Sequence, residues 1–513
     1  MEYDDVIVGG GSAGAVLAAR LSEDPARRVV LIDAGPDYAT VELTPADLRD
    51  SWRMSLREHD WGFSAEAVPG RAIPYPRGRV IGGSSAVNAT IALRGVPADY
   101  DEWARLGNDG WGWADVLPYF RRLEDDAQGP DELHGRDGPI TIQRWRPDEL
   151  VPTQRAFLEV CLRLGFSEVA DHNHPEASGV GSFPQSRRGR LRVSTAIAYL
   201  LPARQRLNLT IRPRCLVDRV LLADGRAIGV QIESGGGREG VRGRRVTLAA
   251  GAVGSPAILM RSGIGPRAAL LEAGVEPVLD LPGVGASLAD HPVTRLLLVP
   301  RAGSCDLQTP LAQMVLRYTA PGSDQFNDMQ QVIFSHVDVA GIGGRQAVAA
   351  VGAALAIGLP VALERPRARG RLSLTSRDAR VQPVIELNFA ADPEDLRRLT
   401  EGVRLAWQIA HQPEIARHVD HVALLTERTM SSDEALAAYI RATVSTQFHP
   451  CGTARMGPPT DAMAVIDQHC RLRGVEGLRV VDASVMPTIP RANINLTCSM
   501  IAEHVSDWMR DET

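Results

Sequence analysis

A glycine-rich turn between a short strand and a helix constrains the fold of this chain more than any other feature. Residues 5–21 read DVIVGGGSAGAVLAARL, and the β-branched run at residues 6–8 suits a strand that is buried on both faces. Gly9, Gly11 and Gly14 follow in the spacing G-x-G-x-x-G, and apolar residues then recur at helical spacing. This order predicts the first βα unit of a dinucleotide-binding α/β fold.

Each glycine of the turn has a physical role. Gly9 allows the tight turn, Gly11 lets the backbone approach a pyrophosphate, and Gly14 lets the helix pack closely on the strand. A second apolar run ends in Asp33, 19 residues after Gly14, where a carboxylate can accept the ribose hydroxyls of an adenosine. An acid there argues against a 2′-phosphate, but the motif alone does not separate NAD from FAD or exclude an ordinary βα turn.

Length and charge narrow the class of protein. The chain has 513 residues, enough for two or three domains, and a net charge of −6 without a basic stripe, which argues against a nucleic-acid partner. The first residues are acidic and lead directly into the first strand, so no signal peptide is expected. Residues 347–363 form the longest apolar run, and the proline and glycines in it favour a buried strand with its approach over a membrane span. We therefore expect a cytoplasmic protein with no transmembrane segment.

Cysteine and histidine spacing gives no sign of a disulfide framework or a metal site. The six cysteines are scattered without a C-x-x-C motif, which is typical of reduced thiols. His172 and His174 lie close together in DHNHP, but no neighbouring residue completes a ligand set, so we expect no bound metal.

The remaining pattern predicts alternating elements. Residues 36–76 read as an irregular cover, residues 209–234 as three strands with a turn at Asp224-Gly225, and residues 244–250 as another strand. Helices are expected at residues 153–164, 396–411 and 432–443, the last capped by Ser431 or Ser432, and from about Leu496. Two short helices around a Gly/Trp turn are expected near residues 99–124, and a glycine turn leads into a helix at residue 251.

Five stretches together resemble one family. They are GRVIGGSSAVNATIALRG, GAVGSPAILMRSGIG, the stretch from Arg365 that begins RPRARGRLSLTSRDARVQP, HPCGTARMG and DASVMPTIPRANINL. In this order they resemble the signatures of the glucose–methanol–choline oxidoreductases, flavoenzymes that oxidise alcohols, and the resemblance covers essentially the whole chain.

The resemblance implies a two-domain fold. A Rossmann-like α/β domain that binds FAD would be built from residues 1–150, 187–290 and 464–513. A discontinuous α+β substrate domain, built on a mostly antiparallel sheet, would come from residues 151–186 and 291–463.

The resemblance also implies contacts with FAD. Ser12 and Ala13 would touch the pyrophosphate, Asp33 the adenosine ribose and Val217 the adenine, while Asp482 and Ala483 would reach the phosphate and ribitol. The full set of expected cofactor-binding residues is Gly9, Gly11, Ser12, Ala13, Gly14, Asp33, Ala34, Gly82, Gly83, Ser84, Asn88, Ala89, Thr90, Val217, Asp482, Ala483, Asn495, Leu496 and Thr497. Asn88–Thr90 would lie along the flavin, and residues 495–497 at its pyrimidine edge.

One position departs from part of the family. Some members carry a histidine just before the asparagine of the first signature and link it covalently to the flavin. Here that position is Val87, so we expect FAD to be bound non-covalently.

Alcohol oxidation needs a base for the hydroxyl proton and an acceptor for the hydride. By resemblance His449, in the context Q-F-H-P, is the base, because a neutral imidazole accepts a proton near pH 7. Asn493 is the second catalytic position, histidine or asparagine in the family, and its amide can bind the substrate oxygen. Without the resemblance, His449 reads as a core histidine and Asn493 as a turn residue. Gln447 and Phe448 are further candidates to face the flavin or the substrate, and Trp61 and Phe334 are candidates for the pocket wall.

The expected reaction is the oxidation of an alcohol, most simply a primary alcohol to its aldehyde, with hydride transfer to the flavin. The expected partners are a small alcohol and an electron acceptor, either oxygen or a quinone-like carrier; the sequence fixes neither the acceptor nor the oligomeric state. Relatives with other chemistry keep two alternatives open, a hydroxynitrile lyase and a light-driven fatty-acid decarboxylase. A flavoprotein that only carries electrons is a third.

Overall fold

The first of two large sheets carries the predicted glycine turn. The structure, a computed structural model, describes residues 2–512. Four parallel strands lie in the spatial order Leu209–Arg212, Val29–Ile32, Tyr3–Val8 and Gly237–Leu248, and Leu478–Val480 pairs in parallel with the last of them. Their buried Val, Leu and Ile side chains explain the continuous apolar runs of the sequence.

The long strand Gly237–Leu248 connects a parallel and an antiparallel part of this first sheet. Its second half continues the parallel sheet, while its first half pairs antiparallel with Arg226–Ser234, which pairs in turn with Leu216–Ala223. The turn between these two strands falls at Asp224 and Gly225, as predicted.

A nine-stranded, mostly antiparallel sheet forms the second layer. Its longest strands, Pro292–Pro300 and Leu355–Leu363, pair antiparallel. The other strands are Glu168–Val169, Gly179–Ser182, Met314–Tyr318, Met329–Val332, Phe334–Asp338, Val419–Ala423 and Ser445–Thr446. All nine strands of this sheet therefore come from residues 168–182 and 292–446.

Three smaller sheets complete the strands. One contains Glu124–Asp125, Ile140–Gln143, Gln185–Arg188 and Leu191–Arg192; a second contains Ser64–Val68, Arg71–Pro74, Arg371–Ser373 and Val384–Glu386; the third pairs Ile264–Gly265 with Leu279–Asp280.

The helices agree closely with the sequence pattern. The helices expected from the sequence begin and end within a few residues of their predicted bounds. The Ser432 hydroxyl accepts a hydrogen bond from the Ala435 N–H at 3.2 Å, which confirms Ser432 as an N-cap. The α-helices are Gly14–Leu21, Ala46–Arg49, Pro97–Arg105, Trp113–Leu123, Pro152–Arg163, Leu201–Ala203, Gly251–Arg261, Arg267–Glu272, Val339–Val351, Pro393–Ala410, Pro413–Ala416, Glu427–Met430, Asp433–Thr443 and Asn495–Asp511. Short 3₁₀ turns lie at Gly83–Ala86, Pro147–Glu149 and Ala483–Val485, and a π-turn at Ala196–Leu200.

One expectation about local structure needs correction. Residues 36–76 are not wholly irregular, because they contain the helix Ala46–Arg49 and the hairpin Ser64–Val68/Arg71–Pro74. The apolar run at residues 347–363 contains the expected buried strand, Leu355–Leu363, and the approach to it is the end of the helix Val339–Val351.

All six cysteines are unpaired, and five of them are buried. Among residues 2–512, the helices fall short of the length and apolarity that crossing a bilayer requires. The proposed division into two domains remains a prediction; the two large sheets fall on either side of it, and the hairpin at residues 64–74 pairs with a strand from the second domain.

Candidate active site

A cavity of about 1120 Å³ opens at the carboxyl ends of the parallel strands. Val8, Ile32 and Ala249, the last residues of three strands or their immediate successors, form part of its floor. This edge of a doubly wound sheet is where ligands bind in such folds. The volume exceeds the usual range for a single small ligand, so a dinucleotide and a substrate can share the cavity.

The glycine turn forms the phosphate end of the cavity. Gly9 has φ of 99°, and a Cβ on Gly14 would lie 1.8 Å from the Gly9 carbonyl oxygen, so neither position accepts a side chain. Gly11, Ser12 and Ala13 line the cavity immediately before the helix Gly14–Leu21, whose free N–H groups attract an anion.

Asp33 is fixed by two backbone donors. The Gly10 N–H donates to Oδ2 at 2.7 Å and the Gly35 N–H donates to Oδ1 at 2.6 Å. Burial raises the pKa of Asp33 to about 6, although these hydrogen bonds and the Arg79 guanidinium oppose the rise. The carboxylate is therefore held rigidly at the cavity wall, where it can accept hydrogen bonds from a diol.

Asp482 joins two distant segments beside the same cavity. Its Oδ2 accepts from the Gly251 N–H at 2.9 Å and the Ser255 hydroxyl at 2.5 Å, and its Oδ1 accepts from the Ser484 N–H at 2.8 Å. Gly251 has φ of 79° and no heavy atom within 4 Å of a Cβ placed on it. The backbone at Gly251 therefore leaves room for the close approach of a cofactor.

The cavity brings together most of the expected cofactor-binding residues. Those that line it are Gly9, Gly11, Ser12, Ala13, Asp33, Ala34, Gly83, Ser84, Asn88, Ala89, Val217, Asp482, Ala483 and Asn495. They come from segments far apart in the sequence, and their shared position fits a molecule as long as FAD. The residues therefore fit the cofactor that the motifs imply.

Five expected residues do not line the cavity. Gly14 serves the packing of helix on strand described above, and Gly82 takes φ of 98° in the turn before Gly83. Thr90 and Leu496 are fully buried, and the Thr497 hydroxyl lies 3.0 Å from the Tyr100 hydroxyl. The buried side chains of Thr90, Leu496 and Thr497 lie outside the cavity lining. Contact of these five residues with the cofactor stays a prediction.

The two expected catalytic side chains meet at the cavity wall. Asn493 Nδ2 lies 3.2 Å from His449 Nε2, in a geometry in which the amide donates to the ring nitrogen. A substrate oxygen beside both atoms can donate its proton to the histidine and accept from the amide.

A short loop holds His449 in place. The His449 N–H donates to Asp290 Oδ1 at 2.9 Å, and Asp290 Oδ2 accepts from the Tyr75 and Thr446 hydroxyls, both at 2.6 Å. Phe448, the residue before the histidine, has φ of 69°, which is strained for a non-glycine residue. Its N–H donates to the Thr446 hydroxyl at 2.6 Å.

A second buried histidine lies behind His449. The two Nδ1 atoms of His291 and His449 are 2.9 Å apart, and Glu364 Oε2 lies 3.4 Å from His291 Nδ1. The side chains of His291 and Glu364 are fully buried.

Burial determines the charges at this site. It holds the pKa of His449 well below its usual value, and the nearby His291 and the Arg77 guanidinium lower it further. Burial also lowers the pKa of His291 to about 3 and raises the pKa of Glu364 to about 8. All three groups are therefore neutral at pH 7, and His449 is available as a base.

Sequence reasoning missed several residues of the site. Arg77 lines the cavity, and its Nη1 donates to the Phe448 carbonyl at 2.8 Å. Asp290 and His291 lie in the sequence ADHP at residues 289–292. The only feature there that could have indicated a site is a histidine followed by a proline, as in QFHP at residues 447–450. Of the further candidates, Gln447, Phe448 and Trp61 line the cavity and Phe334 does not.

One group of side chains outside the cavity has spacing suited to a metal. The ligand atoms of Glu124, Asp126 and His134 lie within 4.8 Å of one another. Arg94 pairs with Glu124, and Arg144 with Asp126, so cations of the protein already neutralise the acids. We therefore propose no metal there; His172 and His174 belong to no such group within residues 2–512.

Comparison with known proteins gives concordant matches. Two models of the GMC oxidoreductase family match residues 3–293 and 366–502. An oxygen-dependent choline dehydrogenase of Brucella anthropi is 36% identical over 100% of this chain and 96% of its own length.

Solved structures show the same likeness. Pyridoxine 4-oxidase from Mesorbium loti superposes with a TM-score of 0.91 and 32% identity over 99% of both chains. A formate oxidase superposes with a TM-score of 0.88 over 100% of this chain and 98% of the formate oxidase chain. The two sequences are 24% identical, so this match supports only the fold.

Proposed function

Because the chain belongs to the GMC oxidoreductases, FAD-dependent enzymes that act on the CH–OH group of donors, we propose that His449 is the base that starts the oxidation of a small alcohol. The pairing of His449 Nε2 with the Asn493 amide at 3.2 Å carries this proposal. FAD, when bound, supplies the acceptor for the hydride that leaves the carbinol carbon.

The protein's own contribution is proton removal and orientation. His449 is neutral at pH 7, so its Nε2 can take the hydroxyl proton while the electron pair of the O–H bond stays on the substrate oxygen. The Asn493 amide donates to that oxygen and carries no charge that changes during the step. Together the two groups fix where the carbinol carbon lies.

We propose that FAD is held without a covalent bond. Val87, which lines the cavity, replaces the histidine that forms the link in some relatives. Its isopropyl group offers no nucleophile, so the cofactor would be retained by the glycine turn, Asp33 and the other residues of the cavity wall.

We propose a neutral, largely apolar primary alcohol as the substrate, with the aldehyde as product. Beyond the expected cofactor residues the cavity lining includes the apolar side chains of Met54, Leu56, Trp61, Phe63 and Ile91, together with several arginines and the Gln447 amide. Its acids, Asp33, Glu233 and Asp482, lie with the dinucleotide-binding segments rather than beside His449.

Choline is the second candidate, because the curated relatives are named for it. A quaternary ammonium is commonly recognised by open aromatic faces. Here the Arg79 guanidinium lies 4.9 Å from the centre of Trp61, and that of Arg77 lies 5.8 Å from the centre of Phe448. These cations cover the aromatic faces and repel a cationic substrate, which favours a neutral alcohol.

Oxygen is the electron acceptor that we propose. Negative charge develops on oxygen as it is reduced, and a fixed cation in a water-poor site stabilises such charge. Arg77, in the cavity wall near His449, supplies that cation. The choline dehydrogenase relatives are named as oxygen-dependent enzymes, which supports the same choice.

The test is an anaerobic absorption spectrum of the holoenzyme with a panel of alcohols that includes benzyl alcohol, pyridoxine, 1-hexanol and choline. We expect a neutral alcohol to bleach the flavin bands, choline to be the poorer substrate, and the colour to return on admission of air. Bands that no alcohol bleaches would contradict alcohol oxidation, and bands that stay bleached in air would contradict oxygen as acceptor.

The role of His449 is tested by replacing it. His449→Gln and His449→Ala are expected to retain FAD but to reduce it about 10²–10⁴-fold more slowly, the range that a positioned base contributes. His421→Ala, at an exposed histidine outside the cavity, serves as the control. Near-normal flavin reduction in both His449 variants would refute the assignment.

A further inference from the structure

The contact between His449 and His291 has a chemical consequence of its own. Their Nδ1 atoms are 2.9 Å apart, and the two rings are nearly perpendicular, with an interplanar angle of 83°. A neutral imidazole has one N–H and one lone pair. A hydrogen bond between two such nitrogens therefore requires a proton on one Nδ1 and a lone pair on the other.

Two proton arrangements satisfy this contact. In the first, the His449 Nδ1–H donates to His291 Nδ1, and the lone pair of His449 lies on Nε2. In the second, the His291 Nδ1–H donates to His449 Nδ1, and His449 Nε2 carries the proton. Only the first arrangement leaves Nε2 able to accept a proton from a substrate hydroxyl.

The other neighbour of His449 favours the first arrangement. Asn493 Nδ2 lies 3.2 Å from His449 Nε2, and an amide NH₂ group is a donor only. It therefore requires a lone pair on Nε2. In the first arrangement, therefore, Asn493 Nδ2 donates to His449 Nε2, and His449 Nδ1 donates to His291 Nδ1.

We propose that His291 is a positioning residue, which accepts the hydrogen bond from His449 Nδ1 and so keeps the base lone pair on Nε2. The inference rests on the proposed role of His449 as the base. When Nε2 takes the hydroxyl proton, the ring becomes an imidazolium with an N–H on each nitrogen. Its Nδ1–H is still donated to His291, so neither ring has to reorient.

The charged groups around the pair set the pH range of this arrangement. Glu364 Oε2 faces His291 Nδ1 at 3.4 Å, Asp290 contacts the His449 backbone, and Arg77 and Arg365 lie near the two rings. The charge of Arg317 lowers the pKa of Glu364, and those of Asp99 and Asp290 raise it. An ionised Glu364 would attract a proton to His291 Nδ1 and so favour the second arrangement. Since burial raises the pKa of Glu364 to about 8, the rate of flavin reduction should fall as the pH rises through this value.

The experiment compares His291→Leu with His291→Asn in the holoenzyme. The asparagine side chain can place an acceptor oxygen near the position of Nδ1, whereas leucine removes the acceptor at similar volume. The limiting rate of flavin reduction is measured anaerobically by stopped flow from pH 5 to 10 at saturating alcohol, together with FAD content and melting temperature.

We expect His291→Leu to retain FAD and to lower the limiting rate about 10- to 100-fold, part of the contribution of a positioned base. His291→Asn should restore most of that loss, and Glu364→Gln should remove the alkaline decline of the wild type. A normal rate in His291→Leu would overturn the proposal. So would equal losses in both His291 variants, which would indicate a packing role.

A second readout does not depend on any substrate. In protein labelled with ¹⁵N-histidine, the chemical shifts of the two ring nitrogens distinguish the tautomers, and the His449 signals are identified by their absence in His449→Gln. We expect a protonated Nδ1 and an unprotonated Nε2, and a mixture of tautomers in His291→Leu. A protonated Nε2 in the wild type would overturn the proposal even if alcohol oxidation is established, and the expected shifts would stand even if the substrate is not an alcohol.

Discussion

The proposed role of Asn493 is to assist the reaction through an amide that does not titrate. Its amide faces His449 Nε2 and can donate to a substrate oxygen. The corresponding position in the family is histidine or asparagine, so we expect a donor there to suffice.

Replacement of Asn493 tests this directly. Asn493→His should retain most of the activity, whereas Asn493→Leu should lower the rate of flavin reduction about tenfold or more, because the substrate oxygen loses its donor. Both variants should bind FAD normally. Equal activity of Asn493→Leu and the wild type in stopped-flow reduction would contradict the role of the amide.

The valine at position 87 predicts that FAD is bound without a covalent link. Because valine cannot form a covalent link, denaturation of the holoenzyme in acid or guanidinium should release all of the FAD into the filtrate of an ultrafiltration cell. The absorbance of filtrate and retentate at 450 nm measures the two fractions. Flavin retained with the denatured chain would show that another residue forms the bond.

At the scale of elements, the loop that carries His449 depends on one buried acid. Asp290 accepts hydrogen bonds from Tyr75, Thr446 and the His449 backbone. Burial raises the pKa of Asp290, while these donors oppose the rise. Asp290 thus links the segment around Tyr75, the start of the strand Pro292–Pro300 and the loop that carries His449.

Asp290→Asn should weaken this junction. The new NH₂ group would face existing donors, which is expected to cost about 1–3 kcal/mol and to displace His449. We expect a lower melting temperature and slower flavin reduction than in Asp420→Asn, a control at an exposed acid. If the two variants behave alike, Asp290 does not organise the loop.

The elements that the sequence predicted well are those with local signals. The glycine turn, the helix capped by Ser432 and the turn at Asp224-Gly225 each depend on neighbours within a few residues. The hairpin at residues 64–74 escapes sequence analysis because its first strand, Ser64–Val68, pairs with Val384–Glu386, more than 300 residues away. Likewise His449 and Asn493 follow from motifs, while His291 and Glu364 reach the site only through tertiary packing.

At the scale of the whole molecule, a buried charge network joins segments remote from the active site. The three acids of this network are Glu124, Asp126 and Asp171, and its basic residues are Arg94, Arg144 and His134. The negative and positive charges are equal in number when His134 is protonated. Burial alone would lower the pKa of His134, but hydrogen bonds with the three acids raise it to about 10. His134 is therefore an imidazolium at pH 7.

This network predicts a pH dependence of stability. The pKa of His134 in the folded state, about 10, lies above its usual value of 6.5. Its stabilising contribution is therefore complete below about pH 6.5 and is lost as the pH rises toward 10, by at most about 1.4 kcal/mol per pH unit. His134→Gln should melt at a lower temperature than the wild type near pH 6.5, and the difference should narrow by pH 9.5. A difference that is constant with pH would refute the charged state.

The cofactor cavity closes only when the two ends of the chain meet. The Ser12 hydroxyl, at the phosphate turn, donates to Asn495 Oδ1 at 2.8 Å across 483 positions of sequence. A ribosome adds about 5–20 residues per second, so roughly 25–100 s separate the synthesis of these two residues. During that time the glycine turn exists without its opposite wall. FAD is consequently bound only late in the synthesis of each chain. Chains that stall before residue 495 should leave the ribosome without flavin.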